Sequence, residues 1–461
     1  MLTATTGFGI GGATFAFAML IAYLLILAQV ASFSEAAGMI PTAGSLYDYL
    51  CCGLGRFFGI AGTLAAYLIV HIFAGTALVS TTGVFAIVNF EFLQGLQESG
   101  SWFIGVALVT ILGVVNILGI EVYGKVEIFM TGFMWLTIVL FGMAGIVLPT
   151  DVVMVQFFGT LAAGTNFMAV LSLVGLALFL FVGFEIVTPL AAELRNPERD
   201  LPRAMFMGVT AVIFAMMLYG AALKRQIGDV PLGDGSGMLL LQSPAAIPIF
   251  ANRVFGVVGQ AWLGVAVLLA SAATLNAFLA GLPRIFYGMA VDGALPKVFA
   301  YLHPRYKTPV LLIVMTMVIP SVGAIIINGN IDSILHLILA AVCAWLFSYI
   351  LINLSIISLR LRRPELNRPF KSPLYPFTQI VAIGGMLVAM WFIAPPGISQ
   401  QDIYVPFGIV MFLTAAYALV WTRLVKKVNP FIPVSPEQVI QEEFGRQVNA
   451  AEAIDMPVPT R

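Results

Sequence analysis

Glu185 is the residue whose chemistry most demands an explanation. It stands in Phe179-Leu180-Phe181-Val182-Gly183-Phe184-Glu185, with Pro189 one turn beyond, inside a long apolar run. A carboxylate at the centre of a bilayer costs about 2.5–3.5 kcal/mol or more, and such residues mark functional sites. Gly183 and Pro189 on either side predict a break in the helix. Unwound backbone is tolerated in a membrane where it lines a cavity, and its free N–H and C=O groups can then bind a polar solute. A merely kinked helix, with Glu185 hydrogen-bonded to a neighbour, is the plainer alternative. His71 is the second candidate, because imidazole titrates near neutral pH and can relay a proton or touch a solute. A buried histidine bonded to a backbone carbonyl explains it equally well. Glu35 closes an apolar run and is expected at an interface within reach of water. His303, in a basic loop, and His336, near the end of its run, are weaker candidates.

Other chemistries lack their residues. The three histidines are scattered, and none pairs with Cys51, Cys52 or Cys343 at metal-ligand spacing, so no metal site is expected. Walker, nucleophile-elbow and zinc-protease patterns are absent, which argues against phosphate-driven transport and membrane hydrolysis. Only His71 and Glu185 could pair at one depth as catalytic groups, and no nucleophile pattern accompanies them. No enzyme activity and no cofactor are expected.

The elements that position these residues follow from composition. The chain has 461 residues, 60% hydrophobic and 10% charged, with a mean hydropathy of +1.01. Soluble domains carry about 25% charged residues, so this composition cannot close a water-facing surface. Three cysteines make no disulfide scaffold. Twenty-two basic residues against twenty-two acidic ones leave no nucleic-acid footprint. The chain reads as an all-α polytopic membrane protein, since its apolar runs lack the alternation of a β-barrel.

Spans are predicted near 12–37, 55–88, 102–119, 123–148, 167–193, 205–223, 253–281, 309–328, 332–360, 375–396 and 403–424, eleven in all. Residues 1–424 form the transmembrane domain, and 425–461 read as a solvated tail of little structure. Glu198 and Asp200 are expected to cap the helix that follows them and to pair within their own charged turn, residues 195–200. Of the twenty-two Lys and Arg residues, only Lys224, Arg225 and Arg253 fall in one set of loops. The other nineteen lie in the opposite set and in the tail, which puts the C-terminus in the cytoplasm. The sparse side carries seven carboxylates (Glu91, Glu98, Asp151, Asp229, Asp234, Asp332 and Asp402), enough for mild attraction of cationic solutes or simply for solubility. An odd span count leaves Met1 outside, so the expectation is a start further upstream, with one span of an expected twelve missing. Asn353-Leu354-Ser355 is buried in a span and is no glycosylation site, favouring a bacterial inner membrane.

Four ordered segments resemble the amino acid–polyamine–organocation permeases. They are Phe181-Val-Gly-Phe-Glu185 with Ala192-Glu-Leu-Arg-Asn-Pro-Glu-Arg-Asp-Leu-Pro-Arg-Ala204; Arg284-Ile-Phe-Tyr-Gly-Met-Ala-Val-Asp-Gly-Ala-Leu-Pro296 with His303-Pro-Arg-Tyr-Lys-Thr-Pro309; Arg360-Leu-Arg-Arg-Pro-Glu-Leu-Asn-Arg-Pro-Phe370 with Pro373-Leu-Tyr-Pro376; and Ser34-Glu-Ala-Ala37 with Pro41-Thr-Ala-Gly-Ser-Leu-Tyr47. The resemblance implies an inverted-repeat, leucine-transporter-like fold of five plus five helices with two more. It implies a secondary transporter working by alternating access, as a proton symporter or an amino acid exchanger, with no covalent chemistry.

Carried onto this chain, it implies that the carbonyls of Phe179, Leu180 and Val182 accept the substrate's ammonium group, that Gly183 allows the break, and that Phe179 or Phe181 covers the solute. The family's first-span glycine-rich break, which holds the substrate carboxylate, has no counterpart here. Met134 stands where some proton-coupled relatives place a lysine. His71 stands four residues before Gly75, where relatives often place a carboxylate, which raises its functional weight. Ser271 and Thr274 lie where sodium-coupled cousins coordinate the ion, although small residues there also serve helix packing. The substrate read from this is a small neutral amino acid, with a polyamine or cationic amino acid as the alternative and a non-transporting receptor or scaffold as a remote one. H+ or Na+ are the candidate coupling ions, and oligomeric state is left open.

Overall fold

A computed structural model describes residues 2–96, 100–118, 120–150, 166–194, 196–228, 230–233 and 239–442. The helices, in chain order, are α1 (Leu2–Gly11), α2 (Ala13–Met39), α3 (Leu46–Leu54), α4 (Arg56–Asn89), α5 (Trp102–Leu118), α6 (Ile120–Val147) and α7 (Phe167–Leu178). They continue as α8 (Pro197–Ile227), α9 (Ala246–Val291), α10 (Val310–Ile327), α11 (Ile331–Arg362), α12 (Phe377–Trp391) and α13 (Gln400–Val420). Among the described residues eight apolar segments are long enough to cross a bilayer, and α5, α7 and α12 are shorter apolar helices. Each predicted span has its helix. The 167–193 span is the exception in form: α7 stops at Leu178, and a 3₁₀ segment resumes at Phe184–Glu193.

Local chemistry explains the boundaries. Pro197 opens α8, Glu198 and Asp200 sit in its first turn, and Lys224 and Arg225 in its last, so each charge meets the favourable end of the helix dipole. Asn328 and Gly329 turn the chain with positive φ after α10. Asn330 then caps α11, its side-chain oxygen accepting from the Ser333 amide at 2.8 Å. Within α4, Leu64–Ile69 and His71–Gly75 are π turns. Such wide, under-wound turns are rare and often occur at functional places.

The apolar core is threaded by a polar seam between α2, α11 and α12. The Ser32 hydroxyl donates to Asn353 Oδ1 (2.8 Å), Asn353 Nδ2 donates to Gln29 Oε1 (2.9 Å), and Gln379 Nε2 donates to the Ser372 hydroxyl (2.9 Å). At the end of this seam Glu35 corrects the expectation of a wetted interface, because it is fully buried. Arg360 grips it with two hydrogen bonds of 2.7 and 2.6 Å, the Ser372 amide donates at 2.8 Å, and Arg368 lies 3.4 Å away. A fully buried carboxylate requires such partners.

The tail is corrected as well. Its first part is docked rather than solvated: the Phe57 amide donates to the Pro430 carbonyl (2.8 Å), and the Val434 amide to that of Cys51 (3.0 Å). Phe431 packs on Phe57 and Phe58, and Val439 is buried. Residues 443–461 lie outside the described set, as do Glu98, Asp151, Arg195, Asp229 and Asp234.

Candidate functional site

The chain unwinds after Leu178. The Leu180 amide donates to Ala177, and the Phe181 and Val182 amides both donate to the Leu178 carbonyl (2.9 and 3.2 Å). Gly183 follows at φ +95°, a conformation that side chains with a Cβ rarely adopt. The carbonyls of Phe179, Leu180, Phe181 and Val182 accept no backbone N–H from any described residue. Pro189, inside the 3₁₀ segment, removes a further donor.

Glu185 pins this turn. Its Oε2 accepts from the Gly183 amide (3.1 Å) and the Tyr349 hydroxyl (2.7 Å), while Oε1 accepts from Trp345 Nε1 (2.9 Å). The side chain is fully buried, and among the described residues no cation is paired with it. Both alternatives from the sequence therefore meet here: the helix is broken, and the carboxylate is bonded to neighbours. Below Glu185, Thr188 donates to the Glu185 carbonyl (2.7 Å) and bonds the Ser45 hydroxyl, tying the break to the turn before α3. Aromatic rings wall the turn. Phe181 lies against Tyr23 (6.1 Å between centroids), Phe179 against Trp345 (6.2 Å), and Phe184 against Phe33 and Tyr349 (5.5 and 5.7 Å).

The other candidates lie elsewhere. His71 occupies a π turn of α4, and its Nε2 donates to the Thr316 carbonyl on α10 at 2.7 Å. Its ring meets Phe278 edge-on, and Nδ1 is buried without a partner. Among the described residues, no hydrogen bond or ring contact joins His71 to Glu185. Ser271 is buried in α9, whereas Thr274 is exposed and returns its hydroxyl to the Ala270 carbonyl (3.1 Å). Neither is brought to the break. Met134 packs against the apolar core.

Two clusters escaped the sequence reading. Glu127 on α6 accepts from Asn276 Nδ2 (3.0 Å), and Asn276 Oδ1 accepts from Asn116 Nδ2 (2.8 Å), linking α5, α6 and α9. At the basic end of the bundle, Asp292 accepts from Arg56 Nη1 (2.6 Å), Lys426 Nζ (2.9 Å) and the Tyr47 hydroxyl. Trp421 Nε1 donates to the neighbouring Gly293 carbonyl and the Tyr417 hydroxyl to that of Ala294, each at 2.9 Å. Burial pushes the Asp292 carboxyl up, but Arg56, Lys426 and the Tyr47 hydroxyl outweigh it and hold it below the ordinary value. The holders of Glu185 were missed too, though Trp345 and Tyr349 gave a signal: two aromatics with polar handles, four residues apart on one helix face.

An all-helical membrane bundle with one crossing unwound beside a buried carboxylate, its turn carbonyls taking no backbone N–H from any described residue, has the architecture of a solute permease. The chain belongs to the amino acid permease family, whose profile matches residues 2–414. It is similar to the serine/threonine exchanger SteT of Bacillus subtilis (strain 168), with 26% identity over 80% of each chain. It is also similar to the branched-chain amino acid permease BcaP of the same organism, 25% identical over 82% of this chain and 80% of that one. The human cystine/glutamate transporter is 24% identical over 76% of this chain and 68% of its own. This is a family of transporters, not of enzymes.

Proposed function

We propose that this permease moves small neutral amino acids by alternating access, and that residues 179–185 hold the substrate's amine. One observation carries the reading: four consecutive carbonyls at the break accept no backbone hydrogen bond from any described residue, while both oxygens of the adjacent carboxylate are already engaged by protein donors. Free carbonyl dipoles suit an ammonium group. A carboxylate bonded by Gly183, Tyr349 and Trp345 has little left for a second cationic head group, which weighs against polyamines and cationic amino acids. Phe179 and Phe181 border the turn on either side and would cover the solute.

In this reading Glu185 holds the unwound turn, and its neutral donors let it take up a proton without stranding a buried cation. His71, bonded across to α10, would gate movement between α4 and α10. The serine/threonine exchange named for SteT and the apolar Met134 favour exchange over a lysine-based proton mechanism. Thr274, exposed and bonded to the Ala270 carbonyl, is a poor ion ligand, while the buried Ser271 stays a candidate. The excess of Lys and Arg at one end supports a cytoplasmic position for that end and the tail, and a bacterial inner membrane suits the chain.

The test is counterflow into proteoliposomes. One set is loaded with unlabelled neutral amino acids and a second with polyamines, each with the matching labelled tracer outside. Accumulation in the first set alone is expected. Accumulation only in the polyamine set would overturn the substrate class.

A further inference from the structure

A cavity of about 380 Å³ opens at the basic end of the bundle between α5, α9, the loop before α10 and the start of α10, and none of residues 179–185 lines it. Arg284 and Lys307 line it together with Tyr287 and Tyr306, and Leu279 and Ile313 make part of its wall apolar. Among the described residues no carboxylate lines it, and no hydrogen bond or ion pair engages the Arg284 guanidinium, which is only half-exposed. The other partly buried arginines at this end are paired: Arg56 with Asp292, Arg360 and Arg368 with Glu35, and Arg363 with Glu365 and Glu437. A half-buried guanidinium normally finds an anion, because its planar fork matches carboxylate and phosphate oxygens. Tyr306 is fixed beside it by stacking on His303 (4.9 Å), and both tyrosine hydroxyls are available donors for such a group.

From this we infer that the cavity binds the phosphate group of an anionic phospholipid. The phosphate would be held by Arg284 and Lys307, and an acyl chain would run along the outside of α5 and α10. The surface beside the cavity supports the lipid source. Val114 and Leu118 on α5 and Leu311 and Val314 on α10 are all exposed, giving a chain an apolar track leading to the cationic mouth. The site is independent of the substrate reading, and it can be tested without transport.

The full chain is purified in detergent and analysed by native mass spectrometry after exposure to phosphatidylglycerol or phosphatidylcholine. Retention of phosphatidylglycerol is expected, with about a fivefold loss for each cation removed in Arg284→Gln and Lys307→Gln. The exposed Arg362→Gln should be unchanged. Arg284→Lys, which keeps the charge but loses the fork, should fall between. Lys307 is on an exposed loop, so its variant carries the test even if Arg284→Gln misfolds. Thermal stabilisation by phosphatidylglycerol but not by inorganic phosphate, abolished in the double variant, assigns the lipid. Stabilisation by both, again abolished, assigns a free-phosphate site and overturns the lipid source. Equal retention of phosphatidylglycerol by wild type and double variant overturns the site.

Discussion

Glu185 and Asp292 are both carboxylates with three side-chain or backbone partners, yet they are held in opposite ways. Glu185 is fully buried and receives only neutral donors: an amide, a phenol and an indole. Asp292 sits just past the end of α9 and receives two cations and a phenol. Glu35 belongs with Asp292, since Arg360 and Arg368 neutralise it. Neutralising an ion-paired carboxylate leaves its cations stranded, which is expensive when they are buried. Protonating a carboxylate held by neutral donors costs only the rearrangement of hydrogen bonds. Among the described residues, ion pairs thus fasten Asp292 and Glu35, whereas Glu185 has neutral donors only, which suits the proposal that the backbone beside it opens and closes around a solute.

The largest expected effect tests that contrast directly. Glu185→Gln puts an amide NH2 among three donors, and losing buried hydrogen bonds to a charge costs about 1.5–3 kcal/mol each. Initial rates of counterflow should fall by at least tenfold, and any pH dependence between pH 5 and 8 should flatten. Unchanged kinetics and pH profile would remove Glu185 from the mechanism. Next comes Tyr349→Phe, which deletes one donor and leaves the ring against Phe33 and Phe184. About 1–3 kcal/mol of support for the turn is lost, so uptake should drop severalfold while folding, read by size-exclusion profile, stays normal. A variant that aggregates instead would show that Tyr349 serves the core rather than the site.

Asp292→Asn should act on stability rather than on turnover. Its partners are partly solvated, so about 1 kcal/mol is expected, seen as a fall in melting temperature of a few degrees or less. The sign with pH follows from the depressed carboxyl: the stabilisation is present above the ordinary value of 3.8 and is lost as pH falls below it, through the folded value. Wild type should thus lose its advantage over the variant only in strong acid. An advantage that instead vanished near neutral pH would contradict the ion-pair assignment. The smallest effect belongs to His71→Asn, whose amide can still donate toward Thr316. Loss of pH dependence alone would mark a relay, and altered substrate choice with an intact pH profile would mark a pocket role. No change in either would leave His71 as a packing joint between α4 and α10.

The sequence made the spans legible because length and hydropathy suffice for a membrane helix. It made the break legible because Gly183 and Pro189 bracket a charge that has no other reason to lie there. It did not reveal who holds that charge, since Trp345 and Tyr349 sit some 160 residues further on and read as ordinary apolar positions. Glu35 was misplaced for the same reason: its partners Arg360 and Arg368 look like loop charges until the ends of α2 and α11 are brought together. Long-range pairing between helices is not encoded in any local period, and the misreadings fall there. The tail failed differently, because its few apolar residues are too sparse to register as an element yet are enough to dock on an existing surface.

That docking redraws where the working unit ends. Lys426 clasps Asp292, and the strand of chain from Pro430 to Val434 is stitched to α3 and the start of α4. A truncation or fusion at 424 would thus cut a strap that ties the turn after α9 to α3 and the start of α4. For anyone tagging this permease, the end of the last membrane helix is a poor attachment point, because the residues that follow it are part of the packed unit.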